Sequence, residues 1–409
     1  MGAPLARQPA RDTRRLANGV SLARVPGLTS PAFVGLGLWW HAGSRFESDA
    51  QAGWAHLLEH LWFRGGGRFT AADVDRATDR LGGAVNAETG REVVGLHGLA
   101  PAGDAGELAE LLLDLFLEPA FTAADLDLER RLIGAEATSV AADPLQAAID
   151  RAFSEFFPGH PLGVPVVGRV DTVAAATSAA VRRWRSDHLS GERIAVTLLG
   201  PWGERSLTRM TDRLAQLPRD VPVAPGAAAT PDAAATRGIG SLHGSQLWAF
   251  PLPGFATAGF HSAELLVAGL AGGLNALLPA RLRRRMGLAY DVRSWIEPAF
   301  DVSLGMILVD SVPPEAVAET ERLLDTVAAG GLPADVVEDV VTAARAGRTL
   351  STANPVAAMR RLGWETLAGI APTAPPDRRA LTAPWPTLAA DRRRRFELEQ
   401  APGGSIADG

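Results

Sequence analysis

Three ionisable side chains stand within five residues in the segment HLLEH, residues 56–60. On an α-helix, positions i, i+3 and i+4 lie on one face, so His56, Glu59 and His60 would project together. Imidazole and carboxylate groups are ligands that suit Zn²⁺, and a cation would offset the cost of burying them among apolar neighbours. The segment is therefore a candidate metal site, although the pattern also fits the polar face of an ordinary buried helix.

A catalytic zinc site has three protein ligands and leaves one position for water, so the two histidines need a third partner. The segment FTAADLDLERRLIGAEATSVAADP has helical spacing from Thr122, which forms a predicted capping box with Asp125, to about Val140. Glu129 and Glu136 share a face of this helix, ~10 Å apart along its axis. From the residues alone, each is either a metal ligand or a solvated helix glutamate.

Composition limits the class of protein. The chain has 409 residues, of which 47% are apolar, enough for two domains of roughly 200 residues each. A net charge of −6 gives no basic footprint, so nucleic acid and anionic membranes are not expected as partners. There is no cysteine, which excludes disulfides and thiolate ligands. Neither a secretory signal nor a membrane span is visible, so we expect a cytoplasmic protein.

The distribution of strands and helices predicts an α+β fold in two parts. Residues 223–240 are rich in Ala and Pro and predict a linker between an N-terminal domain, 1–222, and a C-terminal domain, 241–409. Strands and amphipathic helices alternate in mixed order on both sides, which favours two α/β sandwich domains over one doubly wound sheet. Predicted strands are GVSLARV, AFVGLGLWWHAGS, GSQLWAFPLPG and AYDVRSWIEPAFDVSLGMILVDS; predicted helices are GELAELLLDLFLEPAF, HSAELLVAGLAGGLNALLPARLRRR and PEAVAETERLLDTVAAG.

The HLLEH segment, followed by a glutamate-bearing helix, resembles the inverted zinc motif H-x-x-E-H of the pitrilysin and mitochondrial processing peptidase superfamily. Other segments are similar to that family's successive landmarks, in the same order and over roughly residues 15–370: LANGVSLARVP, HAGSRFES, LGGAVNAET, ERRLIGAE, HPLGVPVVGRVDTV and RRRMGLAYDV. The chain is thus similar to the short, two-domain bacterial branch of the superfamily.

The resemblance implies a zinc-dependent endopeptidase with one Zn²⁺ per chain. His56, His60 and Glu136, which follows His60 by 76 residues as in the family, would be the ligands. Glu59 would act as general base towards the attacking water and then return the proton to the leaving amine. Glu129, one heptad before Glu136, would orient a ligand. The substrates would be extended peptides or leader sequences.

Four further residues match positions that bind substrate in the family. Asn86 and Ala87 resemble the strand-edge pair that holds the substrate backbone, although Asn-Ala after Gly-Gly also fits a turn. Arg283 and Tyr290 resemble the arginine and tyrosine with which the family's other domain grips the substrate and stabilises the tetrahedral intermediate. Tyr290 is the only tyrosine in the chain, and a lone tyrosine is also a common core residue.

The resemblance also implies that the two domains form half of a clamshell chamber, which a second chain completes as a homodimer or as a heterodimer with a related two-domain subunit. Two alternatives in function stay open: a maturation peptidase for one dedicated precursor, and a non-catalytic partner or scaffold subunit. Two segments depart from the family pattern. LNALLPARL follows Gly272 and Gly273 in place of small hydroxyl residues, and ADRRRRFELEQAPGGSIADG shows no convincing final strand.

Overall fold

The computed structural model describes residues 11–27, 30–221, 228–232, 244–351, 354–370 and 378–398. Within these ranges the strands are β1 (Asp12–Arg15), β2 (Ser21–Val25), β3 (Phe33–Trp40), β4 (Gly65–Gly66), β5 (Phe69–Thr70), β6 (Val85–Thr89), β7 (Val94–Pro101), β8 (Ile194–Leu199), β9 (Gly244–Pro253), β10 (Val292–Glu297), β11 (Val302–Val312) and β12 (Arg394–Glu397).

The α-helices in the same ranges are α1 (Trp54–Trp62), α2 (Ala71–Arg80), α3 (Ala105–Leu117), α4 (Ala123–Ala142), α5 (Pro144–Phe156), α6 (Val170–Ala175), α7 (Ser178–His188), α8 (Glu204–Leu214), α9 (Phe260–Ala271), α10 (Pro314–Gly330), α11 (Ala334–Ser351), α12 (Pro355–Leu367) and α13 (Arg378–Thr382). A π-helix covers Pro279–Arg285, and single 3₁₀ turns connect several elements.

The chain divides into two compact units. Unit 1 comprises Met1–Ala137, Pro165–Gly226 and Arg348–Ala371, and unit 2 comprises Thr138–Val164, Ala227–Gly347 and Pro372–Gly409. This division is geometric and does not test the predicted domains 1–222 and 241–409, which stay a prediction. The predicted linker 223–240 lies outside the described residues except for 228–232.

Unit 1 is built on a six-stranded sheet in the order β1-β2-β8-β3-β7-β6, in which only the β2/β8 pair is parallel. Alternate side chains of β3 point to opposite faces, as the period of a strand requires. Leu36, Leu38 and Trp40 enter a core together with residues of α1, α3 and α7. The sheet therefore supports α1, the helix that carries HLLEH, on one face.

Helix α12 covers the other face of this sheet although it lies near the end of the chain. Gly363 allows the close approach, because a Cβ at this position would lie 2.2 Å from the Trp39 ring. Gly35 likewise faces the sulfur of Met359. Both faces of β3 are thus buried, which explains its almost continuously apolar sequence.

Unit 2 contains a four-stranded antiparallel sheet in the order β10-β11-β9-β12. In β9, Trp248 and Phe250 face a core formed with α9 and α10, whereas Leu247 and Ala249 face α5. Each unit therefore pairs a mostly antiparallel sheet with helices on both faces, which confirms the predicted α+β class.

Two predictions for the second half need correction. The sequence predicts a helix over the whole of 261–285, but α9 ends at Ala271, and after a break the chain forms a π-helix over Pro279–Arg285. The C-terminal segment does contain a final strand, β12, which pairs with β9. Arg393, just before it, is 5% exposed and forms ion pairs with Glu321 and Asp325. These partners, distant in sequence, neutralise the buried charge at the start of the strand.

No helix within the described ranges is long and apolar enough to cross a bilayer.

Candidate metal centre

The start of α1 is fixed by a buried carboxylate. Glu47 accepts hydrogen bonds from the backbone N–H groups of Gly53 and Ala55, at 2.8 and 2.6 Å. Gly53 has φ 93°, and a Cβ there would lie 2.8 Å from the Val167 carbonyl oxygen, so the position requires glycine. Burial raises the pKa of Glu47 to about 8, against the backbone donors, which lower it. Glu47 and Gly53 together set where the HLLEH helix begins.

Helix α4 supplies the second side of the site. The predicted capping box is present: the Thr122 N–H donates to Asp125 at 2.8 Å, and the Asp125 N–H donates to Thr122 Oγ1 at 3.1 Å. Glu129 lies on the buried face of α4 beside two apolar residues of that face, Leu126 and Ile133. Glu136 lies two turns further along, where its side chain is 43% exposed.

Three ligand atoms converge between α1 and α4. His60 Nε2 lies 3.3 Å from His56 Nε2, Glu136 Oε1 lies 3.6 Å from His56 Nε2, and Glu136 Oε2 lies 3.4 Å from His60 Nε2. Tetrahedral zinc with bonds of 2.0–2.1 Å would separate its ligand atoms by about 3.4 Å. His56, His60 and Glu136 form the one such group of three metal-ligating side chains in the described part of the chain. These residues fit a zinc ion.

Glu129 contacts His60 from behind the three converging side chains. Its Oε2 lies 2.9 Å from His60 Nδ1, and its Oε1 accepts from the Arg64 guanidinium. The carboxylate, 2% exposed, is therefore held between one imidazole and one cation. A hydrogen bond at Nδ1 places the imidazole proton there and leaves Nε2 as the free lone pair, the arrangement typical of histidine ligands.

The environment shifts the pKa values of these groups in opposite directions. Burial, together with the nearby His60, lowers the pKa of His56 to about 4, so that its imidazole is neutral at pH 7. Burial alone would lower the pKa of His60, but the hydrogen bond and charge of Glu129 outweigh it and raise the pKa. Burial would raise the pKa of Glu129, but hydrogen bonds from His60 and Arg64 lower it.

Glu59 lies on the same helix but is not one of the three converging ligands. Its Oε2 accepts a hydrogen bond from Thr89 Oγ1, at the end of β6. Burial raises the pKa of Glu59, and the Thr89 bond opposes this shift. The structure thus places a carboxylate of raised pKa next to the candidate metal ligands and hydrogen-bonds it to strand β6.

Strand β6 is the last strand of its sheet. It pairs with β7 on one side, with Asn86 opposite His97 and Ala87 opposite Leu96, and no described strand pairs with its other side. Asn86 is exposed and Ala87 is buried, so this segment is a strand and not the alternative turn. Glu88, the next residue, forms a bidentate ion pair with Arg360 of α12.

Arg283 and Tyr290 lie together in unit 2. The Arg283 guanidinium stacks over the Tyr290 ring at 4.9 Å, and the Tyr290 side chain is 82% exposed, so it is not core filler. Arg283 belongs to the π-helix, a conformation frequent at functional sites. Its neighbour Arg281 instead bonds Glu319.

Sequence reasoning missed three residues of the site: Glu47, Arg64 and Thr89. Glu47 and Thr89 lie inside segments that resemble the family and Arg64 lies four residues after His60, but only their tertiary partners reveal their roles. Thr89 offered one signal: it follows Ala87 by two residues and so points to the same face of the strand. Arg64, four residues after His60, offered the signal of helical spacing.

The fold and this cluster define a two-unit α/β protein with a candidate metal centre of two histidines and a glutamate. Residues 28–169 match the sequence profile of the family described as insulinase (peptidase family M16). An uncharacterized zinc protease of Streptomyces coelicolor is 29% identical over 383 residues, which cover 87% of this chain and 83% of the relative.

More distant matches agree with this similarity. A probable mitochondrial-processing peptidase subunit beta of Arabidopsis thaliana is 28% identical over 185 residues, 45% of this chain and 35% of the relative. The crystal structure of a peptidase M16 inactive domain from Pseudomonas fluorescens superposes with a TM-score of 0.78 at 17% identity, covering 88% of this chain and 89% of that one. Over residues 28–169 the chain is similar to peptidase family M16, the family described as insulinase.

Proposed function

We propose that this protein is a zinc-dependent endopeptidase that hydrolyses extended peptides or leader sequences. The observation that carries the proposal is the convergence of His56, His60 and Glu136 at separations that suit tetrahedral zinc, with Glu59 beside them and not among the ligands. The Streptomyces coelicolor relative named as a zinc protease supports the same metal and reaction.

His56, His60 and Glu136 would hold the ion. When bound, Zn²⁺ supplies Lewis acidity, which makes water more acidic and polarises a carbonyl group. His56 is neutral at pH 7 and offers a lone pair, and His60, whose Nδ1 is bonded to Glu129, would bind the ion through Nε2. The partly exposed Glu136 leaves this side of the cluster open to solvent, from which water and peptide enter.

Glu59 would handle the proton. A general base works best when its pKa approaches the working pH, and burial raises the pKa of Glu59 in that direction. The carboxylate takes a proton from the attacking water and returns it to the leaving amine. Nucleophile activation and leaving-group protonation thus use one group.

The edge strand would hold the substrate. Backbone groups on the unpaired side of β6 can bond an extended peptide as an added strand, which binds main chain and is tolerant of sequence. Asn86 and Ala87 lie three and two residues before Thr89, the residue bonded to the proposed base. A peptide along β6 would therefore run beside Glu59.

Arg283 and Tyr290 would bind substrate from a second two-domain chain, either identical or related. The Arabidopsis thaliana relative named as a processing peptidase subunit supports such an assembly. In a homodimer, mixing Tyr290→Phe and Glu59→Gln chains should restore part of the activity, because one of the two sites then has neither lesion. No recovery in a mixture shown to exchange subunits would contradict the shared site. The cytoplasmic location stays a prediction, which cell fractionation would test.

The proposed activity is tested by measuring bound zinc in the purified protein and cleavage of a library of extended peptides. We expect one zinc per chain and cleavage that Glu59→Gln reduces by roughly 10³-fold or more without loss of zinc. Glu107→Gln on α3, which changes an exposed ion pair with Arg80 of α2, is the matched control and should cleave normally. A protein without zinc, or an active Glu59→Gln variant, would favour the non-catalytic subunit.

A further inference from the structure

Thr89 joins the substrate-binding strand to the proposed base. It is the last residue of β6, and its backbone pairs with Val94 of β7. Its hydroxyl donates to Glu59 Oε2, and no other side-chain hydrogen bond to Glu59 occurs among the described residues. The side chain is therefore fixed at the backbone by the sheet and at the hydroxyl by the carboxylate of α1.

We propose that Thr89 is a positioning residue, whose hydroxyl holds the Glu59 carboxylate by Oε2 so that Oε1 alone exchanges the proton of the reaction. The proposal rests on the proposed peptidase function and concerns the orientation of its base. A side-chain carboxylate rotates freely about its last torsion unless a partner holds it, and a charge-assisted hydrogen bond supplies that restraint.

The bond also determines where the transferred proton is held. A threonine hydroxyl that donates to Oε2 occupies one of the two lone pairs of that oxygen and lowers its basicity, whereas both lone pairs of Oε1 stay open, so Oε1 is the better acceptor for a proton taken from water. From Oε1 the same proton can pass to the leaving amine without a rotation of the carboxylate. Glu59 starts as a carboxylate, becomes a carboxylic acid protonated at Oε1, and ends as a carboxylate, so the proton balance closes.

The strand position gives the hydroxyl a second consequence. A peptide that pairs with the open side of β6 binds the same strand that contains Thr89. One rigid strand therefore positions both the peptide backbone and the base. Glu59 on α1 and the scissile bond along β6 would otherwise be positioned by two separate elements. Thr89 is the described side chain that bonds the base from this strand.

The experiment compares Thr89→Val, which keeps the β-branched shape and removes the hydroxyl, with Thr89→Ser, which keeps the hydroxyl. We expect kcat of Thr89→Val to fall by about 10- to 100-fold, the usual value of a hydrogen bond to a charged group. KM should change less than about 3-fold and zinc affinity less than about 2-fold, because the hydroxyl contacts neither substrate nor ligand. Thr89→Ser should recover kcat to within about 3-fold of wild type.

Thr197→Val is the matched control. Thr197 is a buried strand threonine of the same sheet, and its hydroxyl accepts from Trp39 Nε1 at 2.9 Å, so this variant should lose stability but keep kcat. An unchanged kcat in Thr89→Val, a serine variant as slow as the valine variant, or a rise in KM alone would each overturn the positioning role. If wild type shows no Glu59-dependent cleavage, the proposed function itself fails, which the Glu59→Gln comparison reveals separately.

Discussion

The predicted chemistry lies in two regions that the protein holds in different ways. Around α1, His56 is 8% exposed and Glu129 is 2% exposed, and hydrogen bonds join Glu129 to His60 and Arg64. In unit 2, Tyr290 is 82% exposed and its described partner is the stacked Arg283 guanidinium. One region is built into a core and the other is displayed on a surface.

The difference follows from the cost of burial. A buried ionisable group is tolerated only with a partner, so the packing of the core fixes the geometry of the candidate metal ligands before a metal ion binds. An exposed pair such as Arg283 and Tyr290 is solvated and incurs no such cost, so the fold does not require it. Its function depends on the molecule that binds to it. Substitutions in the first region should therefore affect metal, stability and catalysis together, and those in the second region catalysis alone.

The largest effect is expected from removing a ligand of the built-in cluster. His60→Ala should lower zinc affinity by roughly 10³-fold and abolish cleavage, because two protein ligands do not retain a catalytic zinc. Competition with a chromophoric chelator measures the affinity. His261→Ala on α9, where His261 faces Glu264 at 3.3 Å, is a control that should keep one zinc per chain. Full zinc occupancy in His60→Ala would show that the cluster is not the metal site.

An intermediate effect is expected from Glu129→Gln, because partners behind a ligand are typically worth about 10- to 100-fold in metal affinity or activity. The hydrogen bond and charge of Glu129 raise the pKa of His60, so without metal His60 keeps its proton to a higher pH and the protonated form stabilises the fold at low pH. That contribution is lost as the pH rises through the raised pKa.

In Glu129→Gln the pKa of His60 falls, so the proton competes with zinc only at lower pH. Zinc titrations across pH should show weaker binding at neutral pH together with an acid limb displaced to lower pH, and Glu107→Gln should show neither change. An acid limb that does not move would mean that Glu129 acts on packing and not on His60.

The smallest effect is expected at the exposed pair of Arg283 and Tyr290. Tyr290→Phe removes a hydroxyl from an exposed ring, so the free energy of unfolding should change by less than about 0.5 kcal/mol and zinc affinity should not change. Peptide cleavage should fall about 10-fold through kcat, the value expected for the loss of one ordinary hydrogen bond to the reaction intermediate. Chemical denaturation and steady-state kinetics measure the two quantities. A large loss of stability would show that the fold depends on Tyr290, contrary to the proposed difference between the two regions.

Local pattern predicted much of the fold because it depends on neighbours in sequence. The capping box of Thr122 and Asp125 and the existence of strands β3 and β9 follow from the residues themselves. The break after Ala271 and the existence of β12 were not predicted. The strand β12 has no local signature, because Arg393 beside it forms ion pairs with Glu321 and Asp325 of α10, which are distant in sequence.

The sequence by itself determined that His56, Glu59 and His60 share a helical face and that Glu129 and Glu136 share another, because the helix repeat fixes both. Tertiary structure alone decided that the two faces meet, that Arg64 balances Glu129, and that Thr89 reaches Glu59 from the end of a strand. Such contacts depend on how elements pack, and packing is set by the whole core and not by any segment of it.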